Sequence, residues 1–423
     1  MVAKGMTHNG NSNDLILPTD IPWSKIEGHE LEELVYWLLD DMGAKELQWR
    51  KGSIGGTAAD GGRDLEATFQ VPTPDGEVSV EKWWIQVKGR NKTVEPEAIK
   101  NTLNNTTAIS GVQILIIVTN TDYSNPTRDW VSSWQHNHPI PKVRLWSRQD
   151  LERIISRRPN VIARLFPNAL SNQGKISVLS SRFWTQHYFS GSKVLEEIWI
   201  HRSSLKFTDK DILALLVSEM ANGDVGVRSW VSLLDDEGIE MLLFVALANI
   251  PFLTLRAENF GVSQDPLLET VAFIVEFAFA KLEFTRAFSV FNDPMKYAGR
   301  KQYPNEASLY IQGIIVNRMK WGLARACSKD CIRVDWDHEV DDSRSDFWDR
   351  FKHITKNKSQ PAKAADLLII QDTTKLCNAG LILDKNVGCP LCEELDAENL
   401  SKDSIREFLN TVKTIIQYRI NMP

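Results

Sequence analysis

Apolar positions recur along the first third of the chain with two different periods. Leu31, Leu34, Val35, Leu38, Leu39 and Met42 fall on one helix face, and Gly43 follows as a stop, which predicts a helix running from about Ile26. After a glycine-rich run, Gly52 to Gly62, the period changes. Leu65, Ala67 and Phe69 alternate with Asp64, Glu66 and Thr68, as in a strand with two distinct faces. Pro72 to Gly76 reads as a turn and Val78 to Lys88 as the returning strand or strands. A polar helix from about Glu95 to Ser110 precedes the continuous apolar run Val112–Thr119, which suits a central buried strand. A helix near Thr127–Gln135, a short strand Val143–Trp146 and a further helix follow, the last one capped by Ser147 with Asp150. Strands separated by helices predict an α/β domain, a mixed sheet flanked by helices.

The pattern changes near Ser171–Gly174, which is the candidate boundary. Beyond it, helix-periodic segments dominate: Asp209–Ala221, Ile239–Asn249, Pro266–Phe288 and Glu306–Ala326. Thr208 with Asp211 marks a helix start, and Lys402–Ile420 reads as a closing helix. Ala365–Gln371 and Leu381–Asp384 are candidate short strands. The expected organisation is a flexible tail over residues 1–20, rich in Asn, Gly and Ser, an α/β domain over 21–170 and a mainly α-helical domain over 175–423.

Composition narrows the class without naming a function. Apolar residues make up 43% and charged residues 25%, the balance of an ordinary globular protein. A net charge of −6 gives no whole-molecule attraction to nucleic acid, so any such contact must come from local basic patches. The five cysteines all lie beyond residue 326, and Met1–Asn13 has no apolar core of a signal peptide. Both features favour a reducing, cytoplasmic location. The most apolar stretch, Met241–Leu255, is fifteen residues long and broken by Asn249 and Pro251, so it is read as a buried helix and no membrane span is expected.

Candidate chemistry gathers on the two early strands. Asp64 opens one of them, and Gln86 and Lys88 lie two apart in the other, so their side chains share a face. If the strands pair, a carboxylate, a polar oxygen and an ammonium meet at one sheet edge. Taken alone this spacing is weak, because strand aspartates and lysines are usually solvated. Four separated elements, however, agree in order and spacing: the helix His29–Ala44, the segment Ala59–Ala67, Trp83–Arg90 and Ile114–Asn120. Together they resemble the Mrr-like branch of the PD-(D/E)XK restriction-endonuclease superfamily, over roughly Trp23 to Phe166.

The resemblance implies a restriction-endonuclease-like fold and a metal-dependent endonuclease that hydrolyses phosphodiester bonds, with double-stranded DNA as the expected partner. It implies catalytic roles for Asp64, Gln86, Lys88 and Glu32, and a magnesium ion, replaceable by manganese, held by Asp64, Glu32, Gln86 and the Val87 carbonyl. Glu33 is the alternative to Glu32, since one residue of slip is open. Gln86 stands where many members of the wider superfamily carry an acid, so Glu32 would supply the missing charge; the Mrr-like branch itself commonly has this glutamine. Asp60, in the glycine-rich turn, and Glu66, on the face of Asp64, are secondary candidates. The resemblance further implies a restriction or antiviral defence role, with a protein partner acting through the C-terminal domain and assembly into a homo-oligomer. A catalytically inactive DNA-binding or assembly protein and an RNA nuclease are the competing readings.

Three further features have bland and sharp readings. Between Lys142 and Arg164 there are seven Lys or Arg against two acidic residues, either a solvated face or a phosphate-contacting one. Seven acidic residues crowd between Asp335 and Asp349, either a solvated loop or a cover for the basic surface. Cys389 and Cys392 with Cys327 and Cys331 form two close pairs some sixty residues apart, either buried thiols or zinc ligands.

Overall fold

A computed structural model of the protein describes residues 15–26, 28–49, 64–107, 111–223, 225–297, 305–326, 350–351 and 400–421. Asp60 and the rest of the glycine-rich run, the acidic stretch 335–349, all five cysteines and the two candidate C-terminal strands lie outside the described residues. The chain divides into two compact units, residues 1–178 and 179–423.

In the first unit, β1 (Lys45–Trp49), β2 (Leu65–Pro72), β3 (Val78–Lys88), β4 (Ile114–Thr119) and β5 (Lys142–Trp146) form one sheet in sequence order. The pairs β1–β2 and β2–β3 are antiparallel, whereas β3–β4 and β4–β5 are parallel. Strand β3 is therefore where a hairpin joins a crossover sheet. Helices α2 (Glu97–Thr107) and α3 (Asn125–Asn137) make the crossovers. Helix α1 (His29–Asp41) precedes the sheet, and α4 (Arg148–Ile155) and α5 (Pro159–Leu165) follow it. The sequence thus folds into the mixed, helix-flanked sheet that its periodicity predicts.

The strand period of two distributes the apolar side chains to two cores. On one face Leu65, Ala67, Ile85, Val87, Ile116 and Val118 pack with Leu31, Leu34 and Leu38 of α1 and with Leu151 and Ile155 of α4. On the other, Trp84, Leu115 and Ile117 pack with Ile99 and Leu103 of α2 and with Val131 and Trp134 of α3. Central β4 is buried at every position, which is why it reads as an unbroken apolar run. Ser147 and Asp150 form the expected capping box at α4.

The sequence reading missed edge strand β1, and the expected flexible tail over residues 1–20 includes Ile16, which is packed. Ile16 and Ile21 are buried, and Ile16 bridges to Leu170. The apolar triplet Leu15–Leu17 outweighs the polar residues before it. At the candidate boundary, helix α6 (Asn172–Gln186) begins directly after Ser171, and the division between the two units falls inside it.

The α-helices described in the second unit, which has no described strand, are α7 (Ser192–Ile200), α8 (Asp209–Ala221), α9 (Asp236–Asn259), α10 (Asp265–Lys281), α11 (Phe284–Asn292), α12 (Pro294–Tyr297), α13 (Asn305–Ala326) and α14 (Lys402–Asn421). Helix α10 is apolar all round and nearly all buried, packed by α8, α9, α13 and α14. The segment read as one helix, Pro266–Phe288, is two, because Glu283 caps a new start at α11 by accepting the Arg286 N–H. Conversely, α9 runs straight through Pro251. An interior proline costs about 3 kcal/mol. Burial of Leu253 and Ala257 beyond it offsets much of that, since a buried leucine contributes roughly 1.5–3 kcal/mol. Helix α9 is long and apolar enough to cross a membrane by length and composition, yet half of its apolar window is buried within the protein.

Candidate active site

The hairpin β2–β3 and the loop that follows it place most of the candidate residues. Leu65 pairs with Ile85, so Asp64 stands across from Gln86 one step further toward the open end. The Asp64 N–H donates to the Ile85 carbonyl at 3.0 Å. Asp64 Oδ2 accepts the Val87 N–H at 2.6 Å. The N–H and C=O of one strand residue face the same neighbouring strand. The Val87 carbonyl is therefore turned to the side of Asp64, past the point where β2 begins. The structure thus joins the carboxylate of Asp64 to the main chain of Val87, with Gln86 and Lys88 on either side.

Pleating puts Asp64, Glu66, Gln86 and Lys88 on one face of the sheet, the face of Trp84 covered by α2. Gln86 is 4% exposed, and its Oε1 accepts the hydroxyl of Thr102 from α2. Its amide oxygen is thereby oriented by a helix. Glu66 is buried one pleat further in, across from Trp84. Lys88 ends β3 half-buried, and its carbonyl accepts the Thr119 hydroxyl at 2.9 Å.

Glu32 comes from the other side. Helix α1 packs on the opposite face, and Glu32 Oε2 accepts the Trp49 indole N–H at 2.9 Å, with His29 Nδ1 4.0 Å away. Trp49 in β1 pairs with Leu65, the neighbour of Asp64, so Glu32 reaches the same end of the sheet. Glu33 instead accepts the Trp37 indole N–H at 3.3 Å. Among the described residues, no three His, Cys, Asp or Glu side chains are grouped as metal ligands.

The basic run Lys142–Arg164 is largely occupied by partners of its own. Arg148 pairs with Glu152, Arg153 with Asp150 and Arg158 with Asp41, each at 2.9–3.1 Å. Arg144 stacks over Trp83 and Arg164 over Trp37, at 5.1 and 3.4 Å from the ring centres. Lys142 and Arg157 are the exposed remainder of the seven.

Sequence reasoning missed Thr102, Trp49 and the Thr119–Asn120 pair. Buried Asn120 donates to the Trp23 and Ile26 carbonyls at 3.2 and 2.8 Å and accepts the Arg90 N–H at 2.8 Å. The signal available for it was a fully polar residue directly after the apolar run of β4.

Residues 23–155 match the family model of the Mrr catalytic domain, described as a restriction endonuclease. The match agrees with the resemblance read from the sequence and covers the whole five-stranded sheet with α1 to α4. Among solved structures, the chain is similar to the MspJI restriction endonuclease in complex with a 27-mer oligonucleotide, at 17% identity and a TM-score of 0.26. That similarity covers 35% of this chain and 34% of the other, so the chain spans about a third of that enzyme's length. Comparison with curated proteins finds no match.

Proposed function

We propose that the five-stranded unit is the catalytic domain of a divalent-metal-dependent endonuclease acting on double-stranded DNA. The observation that carries the reading is Asp64, its carboxylate fixed on the Val87 N–H between Gln86 and Lys88, at the open end of a hairpin within a segment that matches a restriction-endonuclease family.

In this reading the donors would be oxygens: the Asp64 carboxylate and the Val87 carbonyl, with Glu32, held by Trp49 on the α1 side, and the Gln86 amide, held by Thr102, as the further ligands it assigns. Hard oxygen donors with one or two carboxylates suit magnesium, which keeps several waters, and manganese in its place. When bound, such an ion polarises the phosphoryl oxygens and makes water nucleophilic near neutral pH. In this reading Asp64 gives up one oxygen to the Val87 N–H, and that bond fixes the carboxylate's rotamer. Lys88 offers a proton donor to the non-bridging phosphate oxygens as negative charge develops, and orients the attacking water. Thr119 holds the Lys88 main chain, so the ammonium swings from a fixed root.

A restriction or antiviral defence role extends the proposal, with residues 179–423 as the regulatory or assembly unit, a protein partner acting through them, a homo-oligomer as the working form and the cytoplasm as its location. The test is incubation of the full chain with supercoiled plasmid, with magnesium or with EDTA, beside parallel reactions on RNA. Metal-dependent nicking of plasmid is expected. Full activity in EDTA, or cleavage of RNA alone, overturns the proposal.

A further inference from the structure

The loop after β3 is anchored at alternate residues by a single tripeptide. The Thr119 hydroxyl donates to the Lys88 carbonyl at 2.9 Å, Asn120 Oδ1 accepts the Arg90 N–H at 2.8 Å, and the Thr121 hydroxyl donates to the Lys92 carbonyl at 3.1 Å. The series ends in main-chain bonds. Val94 donates to the Asp122 carbonyl at 2.8 Å, and its own carbonyl accepts from Ser124 N–H and the Thr127 hydroxyl. Side chains thus continue the parallel β3–β4 ladder beyond the last strand residue. Six steps of loop, from Lys88 to Val94, run beside four of the opposing chain, from Thr119 to Tyr123, and the surplus forms bends at Asn91 and Lys92.

A loop of five polar or glycine residues at a sheet end is ordinarily mobile. This one is tied down and exposes cations. Arg90 and Lys92 are exposed, and among the described residues neither side chain has a hydrogen-bond or ion-pair partner. That contrasts with the Lys142–Arg164 run, where most cations are already engaged. The net charge of −6 makes such local free cations the natural points of attachment for a polyanion.

We propose that Thr119, Asn120 and Thr121 form a main-chain clamp that presents Arg90 and Lys92 as a rigid track for the DNA backbone flanking the phosphate at Lys88. The ligand is duplex DNA, bound through successive phosphates of one strand, which rise about 3.4 Å each along the axis. Arg90 and Lys92 are binding residues and Thr121 is a positioning residue; none of them touches the reacting atoms. The inference rests on the nuclease reading for its substrate, but it is measurable without cleavage.

The experiment uses the full chain and a labelled DNA duplex in EDTA, with affinity followed across about 50 to 200 mM salt. Each lost phosphate contact lowers the log–log salt slope by about 0.9. Arg90→Gln with Lys92→Gln should therefore reduce the slope by about 2 and weaken binding severalfold, with an unchanged melting temperature because both side chains are exposed. In magnesium, the same pair should raise KM and leave kcat at saturating DNA within about twofold. Thr121→Val should raise KM in the same direction, and Thr121→Ser should restore it. A double variant with the wild-type slope overturns the track. A Thr121→Val enzyme with wild-type KM, or a Thr121→Ser enzyme no better than Val, overturns the clamp. Equal affinity and slope for duplex RNA overturn the assignment to DNA. A wild-type protein that never cleaves would defeat the nuclease reading while leaving the slope measurement to decide the track.

Discussion

Replacement of Asp64 separates what its carboxylate does for the fold from what it does for cleavage. In Asp64→Asn the shape is kept, and the amide oxygen still accepts the Val87 N–H now held at 2.6 Å. What is lost is the charge on that acceptor. Hydrogen bonds to charged groups contribute about 1.5–3 kcal/mol and neutral ones about 0.5–1.5. The Asn variant should thus be destabilised by about 1 kcal/mol, a fall of roughly 2–4 °C in Tm for a unit of this size. Asp64→Ala removes the acceptor and leaves the Val87 N–H stranded at a half-buried position, which costs about 1–3 kcal/mol. Alanine at this position is therefore not structurally silent, even though strand aspartates are usually solvated. Both variants should lose cleavage by on the order of 10³-fold or more, equivalent to about 4 kcal/mol of transition-state stabilisation. The assays are thermal melting and plasmid nicking with magnesium on the same preparations. Near-wild-type nicking by the Asn variant would remove Asp64 from the site. Identical melting of all three proteins would show that the Val87 bond contributes nothing.

Three further outcomes follow from groups outside the site. Burial pushes the Glu276 carboxyl up to about 8, opposed by Arg350, so the folded protein prefers the proton. Its stability contribution is complete below the unfolded value of 4.5 and is lost as pH rises through 8, a change on the order of several kcal/mol. Glu276→Gln should therefore raise Tm at about pH 9 and hardly alter it at about pH 4, and an equal gain at both pH values refutes this. The His187 ring is 1% exposed, neither nitrogen is hydrogen-bonded among the described residues, and burial first, then Arg256, lowers its pKa below 6.5. Its contribution is present above 6.5 and lost as pH falls, so His187→Phe, beside Phe183 and Phe189, should stabilise by about 1–3 kcal/mol and flatten the acid side of the melting curve. A lower Tm at pH 6 for this variant counts against the account. Gly174 in α6 lies where an added Cβ would fall 2.0 Å from the Leu15 carbonyl oxygen, so Gly174→Ala must displace backbone. A loss of about 1–3 kcal/mol is expected by thermal melting, and an unchanged Tm would mean that Leu15 is not held there.

Much of the first unit was legible because its chemistry is local. The α1 apolar face, the strict alternation of β2 and the Ser147–Asp150 box each lie within a dozen residues, and Val78–Lys88, read as one strand or more, is the single strand β3. Edge strand β1 escaped because Lys45–Trp49 is mostly exposed and carries only Leu47 and Trp49 toward the core. Pro251 and the run Pro266–Phe288 misled in opposite directions, since tertiary burial extends α9 and a side-chain cap divides α10 from α11. At the site, Asp64, Gln86 and Lys88 share a face as their spacing demands. The partners that orient them do not show in any spacing. Thr102 comes from a later helix and Trp49 from an earlier strand, and only folding brings their donors to Gln86 and Glu32.

The same distances in sequence set an order of events during synthesis. Asp64 meets Val87 across 23 residues of hairpin, a closure that the two strands can make by themselves. Lys88 is not rooted until Thr119 arrives, 31 residues later, and the Asn120 side chain then reaches back 97 residues to Trp23. Contacts of such separation form late, after the local ones. An emerging chain can therefore close the Asp64–Val87 hairpin before β4 exists, but the Lys88 main chain stays untied until Thr119 follows, and in a chain cut short ahead of β4 it is never tied. In the proposed nuclease, full anchoring of the site would then wait on completion of the sheet, a check on the catalyst by its own folding.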